Sequence, residues 1–303
     1  MDWFLQQLIN GLALGAIYAL IALGYTMVYG VLRFINFAHA DVLMLGAFAA
    51  YYLAPHVEQL FGKSTVPTAL TVMVLSAAIC AVIGMTIEFL AYRPLRSRPR
   101  LAVLITAIGV SLFIEYTGQH EKVFGAATKP FPELLPEKEI IMGAMRCSSN
   151  DLVVLVLTAV LLVAMWFIVQ RTKIGMAMRA VSFNEQAASL MGVNVNGIIS
   201  FTFAIGSALA AIGGIFYSMR APGIEPLMGV QPGLRAFIAA VLGGIGNLPG
   251  AALGGLVLGL IETFFGGMPG LSDYRDGIAF ALLILILLFR PAGLLGKMQM
   301  EKV

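Results

Sequence analysis

The chain has 303 residues, 59% of them hydrophobic and only 12% charged, with a formal net charge of +3. A soluble domain carries about 25% charged residues, so a mean hydropathy of +0.91 excludes that class; the small positive balance gives no sign of a nucleic-acid partner. Several uncharged apolar runs reach the roughly 20 residues that cross a hydrocarbon core, which predicts an all-α polytopic membrane protein.

The first run extends from Trp3 to Leu32 with no Lys or Arg before it, and reads as a retained span rather than a cleavable signal peptide. Apolar segments are predicted at 4–30, 38–54, 66–91, 101–118, 151–169, 198–219, 234–265 and 276–290. Where the chain re-enters the membrane, the stretch NFAHAD brings in Asn36, His39 and Asp41. Polar groups at such depth are functional suspects. The competing readings are a His39 hydrogen-bonded to backbone and an Asp41 that caps a helix or pairs with Arg33. Gly62-Lys63-Ser64-Thr65 resembles the end of a phosphate loop, but Val57 stands where its first glycine belongs, and no strand precedes it. Glu88, five residues before Arg93, reads as an interfacial ion pair, and Glu115 as a group facing the outer headgroups.

Arg93, Arg96, Arg98 and Arg100 follow the third segment, and Arg171, Lys173 and Arg179 follow the fifth. The positive-inside rule puts both connections in the cytoplasm. The loops 55–65 and 119–150, and the N-terminus, then fall outside, while Arg290, Lys297 and Lys302 put the C-terminus inside. This count closes only if 234–265 enters and leaves on the outer side. GGIGNLPG, with Gly246 and Asn247, breaks that stretch in the middle. Seven spanning helices plus a broken, re-entrant pair are therefore expected, with a single helix kinked at Pro249 as the alternative. Broken helices at membrane depth line cavities or lie buried in protein. Gly246, Gly250 and Gly254, and Gly255 with Gly259, have the four-residue spacing of close helix packing. Glu262 follows the break and is a further pathway candidate.

No catalytic or metal-ligand pattern occurs. HExxH is absent, His39, His56 and His120 are scattered, and Cys80 and Cys147 lie in unlike surroundings. An enzyme has nothing to stand on here, and no cofactor is expected. Residues 170–192, QRTKIGMAMRAVSFNEQAASLMG, are polar yet helically patterned. Met176, Ala180, Phe183, Ala187 and Leu190 form one face, and Arg179, Ser182, Gln186 and Ser189 the other. A cytoplasmic helix over about 175–192, apolar on one side, suits a protein partner.

Within it, Gln186-Ala187-Ala188-x-x-x-Gly192 resembles the EAA-x-x-x-G loop of ABC importer permeases, with Gln186 replacing the glutamate and Glu185 displaced by one. GLALGAIYALIALGYTMVYG, INFAHADVLMLGAF, AYRPLR, AFIAAVLGGIGNLPGAALGGLVLGLIE and FALLILILLFRPAGLLG are similar, in order, to the Liv H-type permease of bacterial branched-chain amino-acid importers. Asp41 departs from the family's usual Glu, and 119–150 matches poorly. The resemblance implies one permease domain, 1–303, in the bacterial inner membrane. It would assemble with a paralogous M-type permease, two cytoplasmic ATPases that hold the ATP, and a periplasmic binding protein. It further implies ATPase coupling through Arg179, Glu185, Gln186, Ala187, Ala188 and Gly192, and a cargo of leucine, isoleucine and valine. Urea, short amides or other amino acids are alternative cargoes, and an ATP-independent small-solute channel is an alternative class. Asn36, His39, Asp41, Gly246, Asn247 and Glu262 are the pathway candidates.

Overall fold

The computed structural model describes residues 2–96, 98–142 and 145–296. Lys297 and Lys302, used above to place the C-terminus, lie outside them. Eleven helices dominate these residues: α1 (Asp2–Leu32), α2 (His39–Phe61), α3 (Val66–Ile87), α4 (Arg100–Gln119), α5 (Ser149–Arg171), α6 (Lys173–Phe183), α7 (Glu185–Leu190), α8 (Val195–Arg220), α9 (Val230–Gly243), α10 (Leu248–Gly266) and α11 (Arg275–Phe289). Among the described residues seven are long and apolar enough to cross a membrane, namely α1 to α5, α8 and α10. The protein is thus an all-α, multi-pass membrane protein.

The helix starts follow local chemistry. Thr65 Oγ1 accepts the Thr68 amide and Pro67 sits in the first turn of α3, so the GKST stretch is a capping loop. Ser148, Thr172, Asn184, Asn194 and Asn247 cap α5, α6, α7, α8 and α10 in the same way. The second span runs past Pro55 to Phe61, beyond its predicted end at 54. A proline forfeits one ladder bond, and packed neighbours in a membrane bundle absorb that loss.

α1 is apolar all round and forms the centre, with every residue from Ala16 to Leu23 at most 2% exposed. α10 runs antiparallel along it. A Cβ on Gly255 would sit 2.4 Å from the Ala19 nitrogen, and one on Gly259 would sit 2.3 Å from Gly15 Cα. Only glycine permits that approach, so the four-residue spacing is a packing device. α8 fills the other side of α1 and touches α2 and α3. Leu70, Val74, Phe113, Val156, Phe167 and Leu288, on α3, α4, α5 and α11, stay exposed at 50% or more and make the outer surface of the bundle apolar.

The stretch 234–265 is a helical hairpin, and the kink at Pro249 is not seen. α9 and α10 pack antiparallel, with Gly250 against Gly243 and Gly254 against the Ala239 carbonyl. The turn 244–247 between them uses positive φ at Gly244 and Gly246. Its tip lies against Gly30, so the pair runs to the end of the bundle that carries Arg33 and Arg179. With 19 residues α10 is itself a span of about 28 Å. At the tip, the Leu294 and Leu295 amides donate to the Leu242 and Gly243 carbonyls at 2.8 and 3.0 Å. We call this the basic end.

At the opposite end, residues 120–142 and 145–148 fold into a cap. β1 (Lys129–Pro130) pairs antiparallel with β4 (Gly223–Ile224), and β2 (Glu139–Met142) with β3 (Met145–Ser148). Gln6 ties this cap to α1, accepting the Arg146 amide at 2.8 Å and donating to its carbonyl at 2.7 Å.

Candidate translocation and coupling sites

The continuous helix expected over 175–192 is two helices. Asn184 leaves the helical region at φ −158° and its side chain accepts the Ala187 amide, ending α6 and starting α7. The packed face is Gly175, Met178 and Val181, joined by Ala188. The expected stripe Met176, Ala180, Phe183, Ala187 and Leu190 faces away from the bundle, with Phe183 at 87% and Leu190 at 88% exposure. Periodicity gave the stripe correctly; it carried no information on which face meets this chain. Exposed apolar residues clustered this way mark a protein contact. Glu185 and Gln186 are exposed beside it.

Arg179 and Ser182 fasten α6 to the spans. Arg179 donates to the Val169 carbonyl, Ser182 Oγ to the Gly30 carbonyl, and Arg33 Nη2 to the Ser182 carbonyl at 3.0 Å. Arg33 therefore does not pair with Asp41, as the sequence allowed. Gly192 ends α7 at φ +84°, its amide bonding Ser189 and the Val193 amide bonding Ala188. This is a Schellman closure, which glycine enters without strain. A Cβ there would meet nothing of this chain within 4 Å, so the glycine is required here by the turn and not by packing within the chain.

Next to this module, the end of α3 widens into a π-turn, Glu88–Tyr92, and a 3-10 turn, Arg93–Leu95. Glu88 is fully buried and its carboxylate receives Arg93 Nη2 at 3.0 Å, Arg96, and Ser200 Oγ at 2.6 Å. Arg96 Nη1 also donates to Asn196 at 2.8 Å, locking α3 to the start of α8. Burial pulls the Arg96 guanidinium below its usual pKa, and Glu88 pushes back. The Glu88–Arg93 pair was legible five residues apart. Ser200 and Asn196 were not, because no local spacing links residues a hundred positions distant, and Arg96, eight residues from Glu88, reaches it only through the π- and 3-10 turns that end α3.

The NFAHAD element starts α2 inside the bundle. Asn36 Oδ1 accepts the Tyr92 hydroxyl at 2.6 Å. His39 Nε2 lies 3.2 Å from the Ile21 carbonyl, which can only accept, so Nε2 holds the proton. His39 is thus the backbone-bonded histidine of the two readings, packed on Tyr25 at 4.4 Å. Asp41 is 1% exposed, does not cap α2, and its Oδ2 has no hydrogen-bond partner. Its polar neighbours are Ser111 and Glu115 of α4. Glu115 does not face headgroups as expected. It lines a cavity of about 170 Å³ with Tyr25, Phe37, Ser111, Val230 and Phe237.

Gly246 and Asn247 line a different cavity, of about 580 Å³, at the basic end with Gly30, Arg33, Arg179 and Ser182. Asn247 is fully engaged, capping α10 and donating to the Leu295 carbonyl at 2.7 Å. Glu262 belongs to neither cavity. It accepts the Tyr18 hydroxyl at 2.8 Å and pairs with Arg235 Nη1 at 2.9 Å, while Arg235 Nη2 reaches Asp276 at 2.7 Å. The six pathway candidates therefore fall into three groups. No cluster of three or more potential metal ligands exists among the described residues.

The family model for the permease component of branched-chain amino acid transport systems matches residues 7–287. The high-affinity branched-chain amino acid transport system permease protein BraD of Pseudomonas aeruginosa is 42% identical over 305 residues, covering 99% of this chain and 98% of that protein. The corresponding LivH permease of Escherichia coli K12 is 37% identical over 306 residues, with the same coverage. The ribose import permease protein RbsC of Haemophilus influenzae is 35% identical over 127 residues, 40% of this chain and 39% of that one. No solved structure matches. With a bundle of spanning helices, a hairpin at its basic end and these full-length likenesses, the chain belongs to the family of branched-chain amino-acid transport permease components.

Proposed function

We propose that this chain is the non-catalytic permease subunit of an ATP-driven importer carrying leucine, isoleucine and valine into the cytoplasm. It would work with a paralogous M-type permease, two cytoplasmic ATPases and a periplasmic binding protein, in a bacterial inner membrane. The observation that carries this reading is the outward stripe Met176–Leu190 at the basic end, fastened by α6 to the tips of α1 and α5. An ATP-independent channel has no need of it. Closure of an ATPase pair would push α6 and α7, and the Glu88–Arg93–Arg96 lock passes that motion to α3 and α8. The full complex in proteoliposomes should accumulate leucine only with ATP on the α6–α7 side. Leucine equilibrating equally fast without ATP would replace the importer with a channel.

Orientation follows from the basic connections, with the N-terminus outside and the C-terminus inside. Single cysteines near Arg96 and at Ser182 should react only from the cytoplasmic side, and those at Glu133 and Ser272 only from outside. Reaction at Ser272 from the cytoplasm would mean that one helix of the α9–α10 pair does not cross.

A further inference from the structure

We propose that the cavity at the basic end is a cytoplasmic site for an aliphatic carboxylate, the cargo on its way out, with Arg33 and Arg179 receiving the carboxylate group. The inference rests on the transport reading for its cargo and adds where, and by which end, that cargo is held. The cavity measures about 580 Å³, within the roughly 300–1,000 Å³ of small-molecule sites. It lies between the end of α1, the α5–α6 corner and the tip of the α9–α10 hairpin. Met27, Val31, Val169, Ile245 and Leu248 supply apolar wall for an aliphatic side chain. Thr26 lines the same cavity about two helical turns inside Arg33. It is 1% exposed, and its Oγ1 is buried without a hydrogen-bond partner. A hydroxyl left so is costly, and a polar passenger entering the cavity supplies the missing bond.

The charge along this cavity has one sign. Arg33 and Arg179 line it, and no Asp or Glu is among its described lining residues. Neither arginine belongs to an ion pair among the described residues. A guanidinium carries five N–H donors. Arg33 uses Nη2 on the Ser182 carbonyl and Arg179 uses Nη1 on the Val169 carbonyl, which holds both side chains beside the cavity and neutralises neither. Arg33 also takes φ +55°, a conformation that a residue other than glycine keeps only where its surroundings fix it. A cleft lined by one sign of charge between apolar walls concentrates the opposite ion. The planar guanidinium then matches a carboxylate with two parallel hydrogen bonds. Inorganic phosphate would meet the arginines and leave the apolar wall unmatched, and an aliphatic amine would meet the wall and be repelled by the arginines. An aliphatic carboxylate suits both. The ammonium of leucine finds no acid here, so the site holds leucine more weakly than the same skeleton without its amine. That suits release and not capture.

The test uses the assembled complex with Cys80 and Cys147 replaced and Gln170→Cys, an exposed position on the cavity wall, as the labelling site. L-Leucine should slow thiol modification there several-fold, and 4-methylpentanoate, its analogue without the amine, should do so at lower concentration. 3-Methylbutylamine, the analogue without the carboxylate, and inorganic phosphate should not. Arg33→Gln and Arg179→Gln keep a donor for the backbone carbonyls and lose the charge. Each should weaken the protection about tenfold or more, as loss of a charged hydrogen bond does, and Arg33→Lys should keep most of it. The comparison of compounds needs neither variant to fold. Protection by the amine as strong as by leucine, protection by phosphate alone, or unchanged protection in both glutamine variants overturns the site. ATP-driven leucine uptake measured on the unsubstituted complex separates the two readings. Uptake without protection removes the site and leaves the transport function standing; protection without uptake does the reverse.

Discussion

Glu262→Ala is expected to destabilise the folded chain by about 1–3 kcal/mol, the cost of leaving buried donors without their acceptor. Glu262 is 3% exposed and meets Arg235 at 2.9 Å and the Tyr18 hydroxyl at 2.8 Å. Its removal leaves a guanidinium from α9 inside the bundle with Asp276 as its only carboxylate. The network joins α1, α9, α10 and α11, so the damage spreads beyond the pair. Arg235→Met combined with Glu262→Leu removes both charges and should recover most of the loss. Thermal unfolding of the solubilised full chain, run as a double-mutant cycle, reads this directly. A single Glu262→Ala variant as stable as wild type would show that the pair is not formed in the membrane.

The same residue marks a limit of reading a sequence. Glu262 stands out as a charge in an apolar run, and that is why it was a pathway candidate. Its partners Arg235, Tyr18 and Arg275 are 27, 244 and 13 positions away in sequence, and no periodicity ties them together. The spans themselves were legible, because hydrocarbon imposes a run length on every crossing helix. The break at GGIGNLPG was legible too, since two glycines at positive φ and an Asn-Leu-Pro helix start leave few other options. Depth was not. NFAHAD and GGIGNLPG looked equivalent as interrupted elements, yet they line separate cavities at different levels. Glu115 was misplaced for a related reason: a span end faces headgroups or a neighbour depending on packing, which the run of apolar residues does not encode.

The α6–α7 module carries the largest expected functional effect. Leu190→Asp and Phe183→Asp should abolish cargo-stimulated ATP hydrolysis by the assembled complex while leaving the unfolding temperature of the chain unchanged. Both side chains are almost entirely exposed, at 88% and 87%, and substitutions at such positions usually change stability by no more than about 0.5 kcal/mol. Placing a carboxylate in an apolar contact adds an unpaired charge to be desolvated, which costs several kcal/mol. At about 1.4 kcal/mol per factor of ten, that ends productive docking. Ala187→Glu, on the same stripe, should behave alike. Met178→Asp is the informative contrast. Met178 is 2% exposed, on the face that α6 turns toward the spans, so this variant should lose stability before it loses coupling. Gly192→Leu sits between them. It meets no neighbour and strains only the φ of the α7 closure, by about 1 kcal/mol, so partial hydrolysis should survive. Full cargo stimulation in Leu190→Asp and Phe183→Asp would move the ATPase contact off α6 and α7 altogether.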